Sequence, residues 1–394
     1  MTHRDGPADG PLAGIVVADL SRVLAGPYCT MMLADLGALV IKVESPRGDD
    51  TRRWVPPRRG EESTYYLSVN RNKRAIALDF TDPEDLAVVH EIVDHADVLV
   101  ENFKPGALAK YGLDHQTLGP RRPDLIHASI TGFGTGAGAD LPGYDLLAQA
   151  LSGLMDVTGH ADGEPLRAGV AVFDVITGLH AATGILSALH ERTRSGLGQH
   201  IELNLLSSAL SGLVNQSGAY AAGGVVPGRL GNEHPSLTPY APFPARDKQI
   251  VIAVGNDTQF AALCGCLGVP ELARDPRFAT NAARVGHRGE LREVLVERLS
   301  ARDAADWFEL FRAANVPSAP ILTVAEGTRF ADDLGLDPVV ATGSGPQAIP
   351  TIRNPIRFSR STVGYHRAPP PLDGDRQEVL HWLEQPAPAR SATP

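Results

Sequence analysis

The stretch from Ala168 to Leu189, AGVAVFDVITGLHAATGILSAL, is almost uninterrupted apolar sequence with one acid, Asp174, near its start. Val175, Leu179, Ala182, Leu186 and Leu189 recur at three- and four-residue steps, which predicts a helix with one apolar face. Arg192 and Arg194 with Gly196 beyond them supply the expected stop. A membrane span is disfavoured. An Asp at bilayer depth costs about 2.5 to 3.5 kcal/mol, and His180 and three glycines weaken the run further. The helix therefore has to be buried in a protein core.

Asp174 stands at the entrance of that helix and has two compatible readings. As an N-cap, its carboxylate accepts from free backbone N–H groups at the positive end of the dipole. As a carboxylate held ionised in an apolar, partly dry place, it is a nucleophile.

The N-terminal part reads as alternating strands and helices, hence as a Rossmann-like α/β domain with a parallel sheet. Ile15 to Leu20, a helix to Leu36 and Leu39 to Glu44 form one strand-helix-strand unit. Two buried apolar strands around one helix imply a parallel pair. The turn between them, SRVLAGP, lacks the GxGxxG fingerprint, which disfavours a nicotinamide cofactor. Further strands are predicted at Ala75 to Asp79, Val98 to Glu101, Leu125 to Ile130 and Gln199 to Leu205, with helices at Pro83 to His95, Tyr144 to Val157 and Leu206 to Ala222.

Between these elements lie two unusual loops. Arg47, Arg52, Arg53, Arg58, Arg59, Arg71, Lys73 and Arg74 crowd the first, as a solvated basic face or as a cradle for a phosphate-bearing anion. The second, TGFGTGAGADLPGY, allows close backbone approach to a ligand or is a plain flexible connection.

Gly223 to Pro244 is punctuated by Gly, Pro and Asn and marks a domain boundary. The expected layout is a large domain over 1–222, a small α+β domain over 223–324, and a segment over 325–394 returning to the first. In the small domain Ile250 to Val254 is a strand, and helices cover Asp257 to Leu267, capped by Asp257, then Arg288 to Arg302 and Ala304 to Ala314. A short helix at Gln377 to Leu383 ends the return. The first ten and last nine residues read as loose polar tails, and the former holds no apolar core for a signal peptide.

A chain of 394 residues with a formal charge of −10 lacks the dense basic surface of a non-specific nucleic-acid binder. Cys29, Cys264 and Cys266 form neither a disulfide framework nor a zinc pattern, so a reducing, cytoplasmic setting is expected. No histidine spacing resembles a metal motif, and no metal is expected.

Six ordered blocks carry a resemblance over nearly the whole length: PLAGIVVADLSRVLAGPYCTMMLADLGALVIKVE, NRNKRAIALD, VENFKPGAL, GYDLLAQALSGLM, GVAVFDVITG and GNEHPSLTPY. The chain resembles the class III coenzyme A transferases, and within them the succinyl-CoA:glutarate type. The resemblance implies a CoA-transferase that moves coenzyme A from an acyl-CoA to a free carboxylic acid. It places Asp174 on the family's catalytic aspartate, with an aspartyl-CoA thioester as intermediate. The CoA thioester is then a substrate, and no permanently bound cofactor is implied. An interlocked homodimer, without nucleic-acid or membrane partners, is implied as well.

By the same resemblance, CoA is held by Val23, Leu24, Ala25, Leu78, Asn102, Phe103, Lys110 and Tyr111, with Tyr144 lining the pantetheine channel. Val23, Leu24 and Leu78 also read as plain core, and Lys110 as a surface charge. A glycine-rich loop of the small domain is expected to serve the oxyanions, with Gly223, Gly224, or Gly231 with Asn232 as candidates, and His234 is a candidate substrate contact. Two departures stand out. Glu233 replaces a small residue, and LDGDRQEVL lacks a His and a Thr of the family pattern, so no role is carried onto that segment.

Two competing readings remain open. A 2-methylacyl-CoA racemase needs a base where Tyr144 stands, and a phenol with a pKa near 10 is a poor one. A non-catalytic CoA-binding protein needs Asp174 only as a cap. The donor and acceptor acids, and the segment that gates the site, are not legible in the sequence.

Overall fold

The computed structural model describes residues 10–385. The tails expected at either end lie outside the described residues, apart from Gly10. The chain divides into two compact units. The first comprises 10–154, 167–225 and 337–385, and the second 155–166 and 226–336.

The first unit is built on six parallel strands. Their order across the sheet is Lys73–Ala77, Leu39–Glu44, Val16–Asp19, Val98–Glu101, Ile126–Thr131 and His200–Asn204. Strands are added first to one side of Val16–Asp19 and then to the other. This creates a topological switch point between Val16–Asp19 and Val98–Glu101, and in open α/β sheets ligands bind beyond the strand ends there.

Alternation along the strands sends side chains to both faces, and both are covered. Val17, Val40, Val98, Val100 and Ile126 pack with the helices Ala25–Asp35 and Val172–Ser195. Val16, Ala18, Ile41, Ile76 and Leu99 pack with the helices Pro83–His95 and Arg376–Leu383. Helix Val172–Ser195 approaches helix Ala25–Asp35 closely at Gly178, where a Cβ would lie 2.7 Å from the carbonyl oxygen of Ala25. Only glycine permits that approach.

Several expected elements shift. The third strand starts two residues early, so Lys73 and Arg74 are strand residues rather than loop. Helix Tyr144 to Val157 is interrupted after Leu151, where Gly153 takes φ 90°. Helix Leu206 to Ala222 is two helices, Leu205–Gly212 and Asn215–Gly223, broken where Val214 adopts φ 40°.

The segment from 337 returns to the first unit and covers the outer strand Lys73–Ala77. Asp375 and Asp373 accept from the backbone N–H groups of Ala75 and Ala77, at 2.9 and 2.8 Å. The neighbouring N–H of Asn72 reaches the carbonyl of Arg367.

The second unit carries an antiparallel sheet, Ser318–Pro320, Gln249–Ala253 and Tyr240–Pro244. Helices Asp257–Cys266, Arg288–Leu299 and Ala304–Ala313 close its core with Phe260, Leu295, Trp307 and Phe311. Asn256, not Asp257, caps the first of these by accepting from the Gln259 N–H, and Asp257 instead pairs with Arg284 at 2.8 Å. The unit runs past Val324 to Leu336, through helix Val324–Asp333, which the sequence reading did not contain. Its capping box joins Thr323 to Glu326.

Candidate active site

The first strand ends in the turn Ser21 to Ala25, and its shape is imposed from three sides. The Asn102 side chain grips Arg22 twice, accepting from its N–H at 2.9 Å and donating to its carbonyl at 2.7 Å. Asp49 accepts from the Val23 N–H, and the fully buried Lys42 ammonium joins Asp49 to the Ser21 carbonyl. Beneath it Lys73, also fully buried, joins Asp19, Asn70 and the Pro27 carbonyl. Val23 is thereby held at φ 72°, a conformation that strains a β-branched residue by about 1–3 kcal/mol. Strain of this kind, maintained by a buried ionic network, singles this turn out as a candidate site.

Two cavities flank this turn. The larger, about 600 Å³, is lined by Val23, Leu24, Ala25, Asn102, Phe103, Tyr144 and Asp174. The glycine loop from Gly132 to Gly143 forms its far wall. The loop's ends cross so tightly that a Cβ on Gly132 would lie 2.4 Å from the Gly143 Cα. The smaller cavity, about 420 Å³, is lined by Leu78, Phe80, Phe103 and Tyr111 together with Arg22, Arg47 and Arg53. Arg22, Asp50 and Phe103 belong to both walls. Phe80 stacks on Phe103 at 6.0 Å and meets Tyr111 edge-on at 5.5 Å, giving an aromatic wall beside which both guanidinium groups and the carboxylates of Asp50 and Asp79 line the cavity.

Lys110 lines neither cavity; its ammonium sits 4.6 Å over the Tyr111 ring. Half of the eight basic residues are internal structure rather than a cradle, and Arg58 and Arg59 are exposed. Arg52 pairs with Glu44 and Glu62, Arg71 with Asp35, and Lys73 with Asp19, while Arg74 pairs with Glu378. Of that loop's cations, Arg47 and Arg53 face the smaller cavity.

Asp174 is the third residue of helix Val172–Ser195, and it is not the cap. Asp145 takes that role from another helix, accepting from the backbone N–H of Phe173 at 2.8 Å and of Asp174 at 3.1 Å. Gln149, one turn on, donates to Asp145 at 2.5 Å and to the Val170 carbonyl at 3.2 Å, and accepts from the Ala168 N–H at 2.8 Å. The Asp174 carboxyl is thus left without a hydrogen-bond partner among the described residues, and it faces the larger cavity. Burial, followed by the negative charge of Asp145, pushes its pKa up to about 7. Burial, then Asp174 and Asp145, pushes the Tyr65 phenol up to about 12, which keeps it a neutral donor.

Asp145 and Gln149 escaped the sequence reading. Their available signal was a polar pair at i and i+4 inside the apolar block YDLLAQAL.

The remaining candidates are placed as follows. Gly224 ends helix Asn215–Gly223 in the left-handed conformation, with Gly223 as its last residue. Gly231 and Asn232 form a turn in the second unit, Gly231 at φ 63° and bonded to the Gly159 carbonyl. In the same unit His234 Nδ1 accepts from the Ser236 N–H at 3.0 Å, and the ring rests 5.1 Å from Tyr240. Glu233 is bound by Arg288 and Arg292, and Arg288 also donates to the His234 carbonyl.

Comparison with known proteins agrees with this geometry. The chain matches CoA-transferase family III over residues 12–376. It is 44% identical over 398 residues to the succinate–glutarate CoA-transferase of Agrobacterium fabrum, covering 98% of each chain. It is 41% identical over 384 residues to the succinyl-CoA:glutarate CoA-transferase of Homo sapiens, covering 95% of this chain and 86% of that one. The crystal structure of a CAIB/BAIF family protein from Brucella suis matches with a TM-score of 0.86 at 42% identity, covering 95% of this chain and all of that one. A parallel sheet with a strained ligand turn, an unpartnered carboxyl beside it and sequence kinship along the whole chain lead to one assignment: this protein is an enzyme of CoA-transferase family III.

Proposed function

We propose that the chain transfers coenzyme A from succinyl-CoA to a dicarboxylic acid of the glutarate class through an aspartyl-CoA thioester on Asp174. The observation that carries this reading is the Asp174 carboxyl itself, free of partners at the wall of the larger cavity. The relatives named for succinate or succinyl-CoA and glutarate support the choice of acids.

The steps balance without water or ATP. An Asp174 oxygen attacks the thioester carbonyl carbon and the C–S bond breaks, leaving a mixed anhydride and CoA thiolate. The thiolate attacks the aspartyl carbonyl and expels the donor as its free carboxylate. The acceptor carboxylate then attacks the aspartyl-CoA carbonyl, releasing the thiolate a second time. Attack of that thiolate on the acceptor's acyl carbon yields the new CoA thioester and returns Asp174 as a carboxylate.

Val23, Leu24, Ala25 and Asn102 line the pantetheine path with Tyr144. Phe80, Phe103 and Tyr111 flank the adenine, and Arg47 and Arg53 meet phosphate. A second copy of the chain completes the enzyme as an interlocked dimer. Leu146, Leu151, Leu179, Leu186, Leu210 and Tyr220 are exposed on helices of the first unit, an apolar surface suited to that copy.

Mass spectrometry after incubation with succinyl-CoA tests the reading. A CoA adduct on the peptide containing Asp174, discharged by glutarate, is the expected result. Turnover by the Asp174→Asn variant at the wild-type rate overturns it.

A further inference from the structure

Glu101 ends the strand Val98–Glu101 at the switch point and is 7% exposed. No lysine or arginine among the described residues pairs with it. One carboxylate oxygen accepts from the Phe103 N–H at 2.8 Å, and the Ser129 hydroxyl also bonds to the carboxylate. The other oxygen lies 3.9 Å from His127 Nε2.

Beside Glu101 is a cluster of three histidines. His115 stacks on His200 at 4.6 Å, and His127 lies 5.3 Å from His200 and 6.0 Å from His115. Both ring nitrogens of His127 lack hydrogen-bond partners among the described residues; burial, then His200 and His115, pushes its pKa down to about 3. Ser129 sits 2.9 Å from His200 Nε2, so a hydroxyl proton given to Glu101 leaves the oxygen to accept from that ring.

A carboxylate buried without a cation is a costly feature, and none of the transfer steps uses it. What it does hold is the one amide that sets Phe103, the ring common to both cavities. We propose that Glu101 is a positioning residue for the acyl-CoA. By fixing the Phe103 N–H, with Ser129 bracing the carboxylate, it aligns the Phe103 ring with Phe80 and Tyr111 across the ligand's path. The inference rests on the CoA reading given above.

Calorimetric titration with CoA, together with steady-state transfer by wild type, Glu101→Ala and Glu101→Gln, tests it. Wild type binds CoA. Loss of a hydrogen bond to a charged group predicts that Glu101→Ala weakens CoA binding and raises KM for the acyl-CoA by about 10-fold, with kcat at saturation kept within about twofold. Glu101→Gln retains an amide oxygen for the Phe103 N–H and restores most of the affinity. Unchanged binding by Glu101→Ala, a fall in kcat with KM unchanged, or a Gln variant no better than Ala overturns the role of Glu101. Absence of CoA binding by the wild type overturns the CoA reading instead. Should Glu101→Ala not fold, Ser129→Ala replaces it: a raised KM with kcat retained is expected, and an unchanged KM overturns the proposal.

Discussion

Asp145 accepts a hydrogen bond from the backbone N–H of Asp174 at 3.1 Å, so the two carboxylates meet at one helix terminus, one as the cap and the other as the group facing the cavity. The cap orients the reactive turn and its charge makes Asp174 more basic. Substitutions at 145 should separate these two effects.

Removing charge but keeping an acceptor oxygen, Asp145→Asn relieves the repulsion that raises the Asp174 pKa. The transfer rate of the wild type should rise with pH through about 7 as Asp174 ionises. In the Asn variant the midpoint of that limb should move to lower pH, read from kcat/KM profiles, which report the free enzyme's ionisations. Asp145→Ala deletes both capping bonds and should lower stability by about 1–3 kcal/mol in denaturant titrations.

Asp174→Asn should reduce CoA transfer by at least about 1,000-fold, the scale seen when a nucleophile is removed. The same change should stabilise the fold at alkaline pH. A carboxyl whose folded-state pKa is raised binds its proton more tightly folded than unfolded, so stability falls as pH climbs from about 4 to about 7 and the cost then persists. Melting curves should therefore show the Asn variant above wild type at pH 8 and level with it at pH 4.

The buried ion pairs under the first turn make a stability prediction. Lys73→Met strands Asp19 without its ammonium partner and should cost about 3–5 kcal/mol, measured by urea unfolding. Gly178→Ala drives a Cβ against the Ala25 carbonyl and should cost about 1–3 kcal/mol.

In the second unit, His234 accepts at Nδ1 and so keeps a proton on Nε2. If that N–H meets the acceptor, His234→Ala should raise KM for the dicarboxylate and leave KM for succinyl-CoA unchanged. Glu233→Ala should act in the same direction, more weakly, since Arg288 would keep its bond to the His234 carbonyl but lose the carboxylate that holds it. Equal changes in both KM values would show that the loop does not discriminate the acceptor.

The sheet was legible because its strands are short apolar runs between turn signals, and elements such as those at Leu39, Pro83, Val98 and Arg288 start on the expected residue. Six of the CoA candidates line one cavity with Asp174, and five of them, Val23, Leu24, Ala25, Asn102 and Phe103, do so because they follow strand ends that topology gathers. What escaped the sequence were partnerships. Lys42 is a strand residue in an apolar run, and nothing local reveals that its ammonium reaches Asp49. Lys73 reads as part of a basic loop until Asp19, 54 residues earlier, is brought beneath it. Asp174 reads as a cap because the true one, Asp145, stands 29 residues upstream. Glu101 carries no signal of its own in VENF, because what it contributes is an acceptor for the Phe103 N–H two residues on.

The returning segment has a consequence for how the protein is made. Strand Lys73–Ala77 forms the sheet's edge, and the side chain that occupies the Ala75 N–H arrives 300 residues later. While the chain emerges from a ribosome, that edge stays open as a template for pairing with another nascent chain. About 300 further residues must thus be made before this edge is protected, and shortened chains ending before Asp373 should aggregate even with every strand of the sheet present.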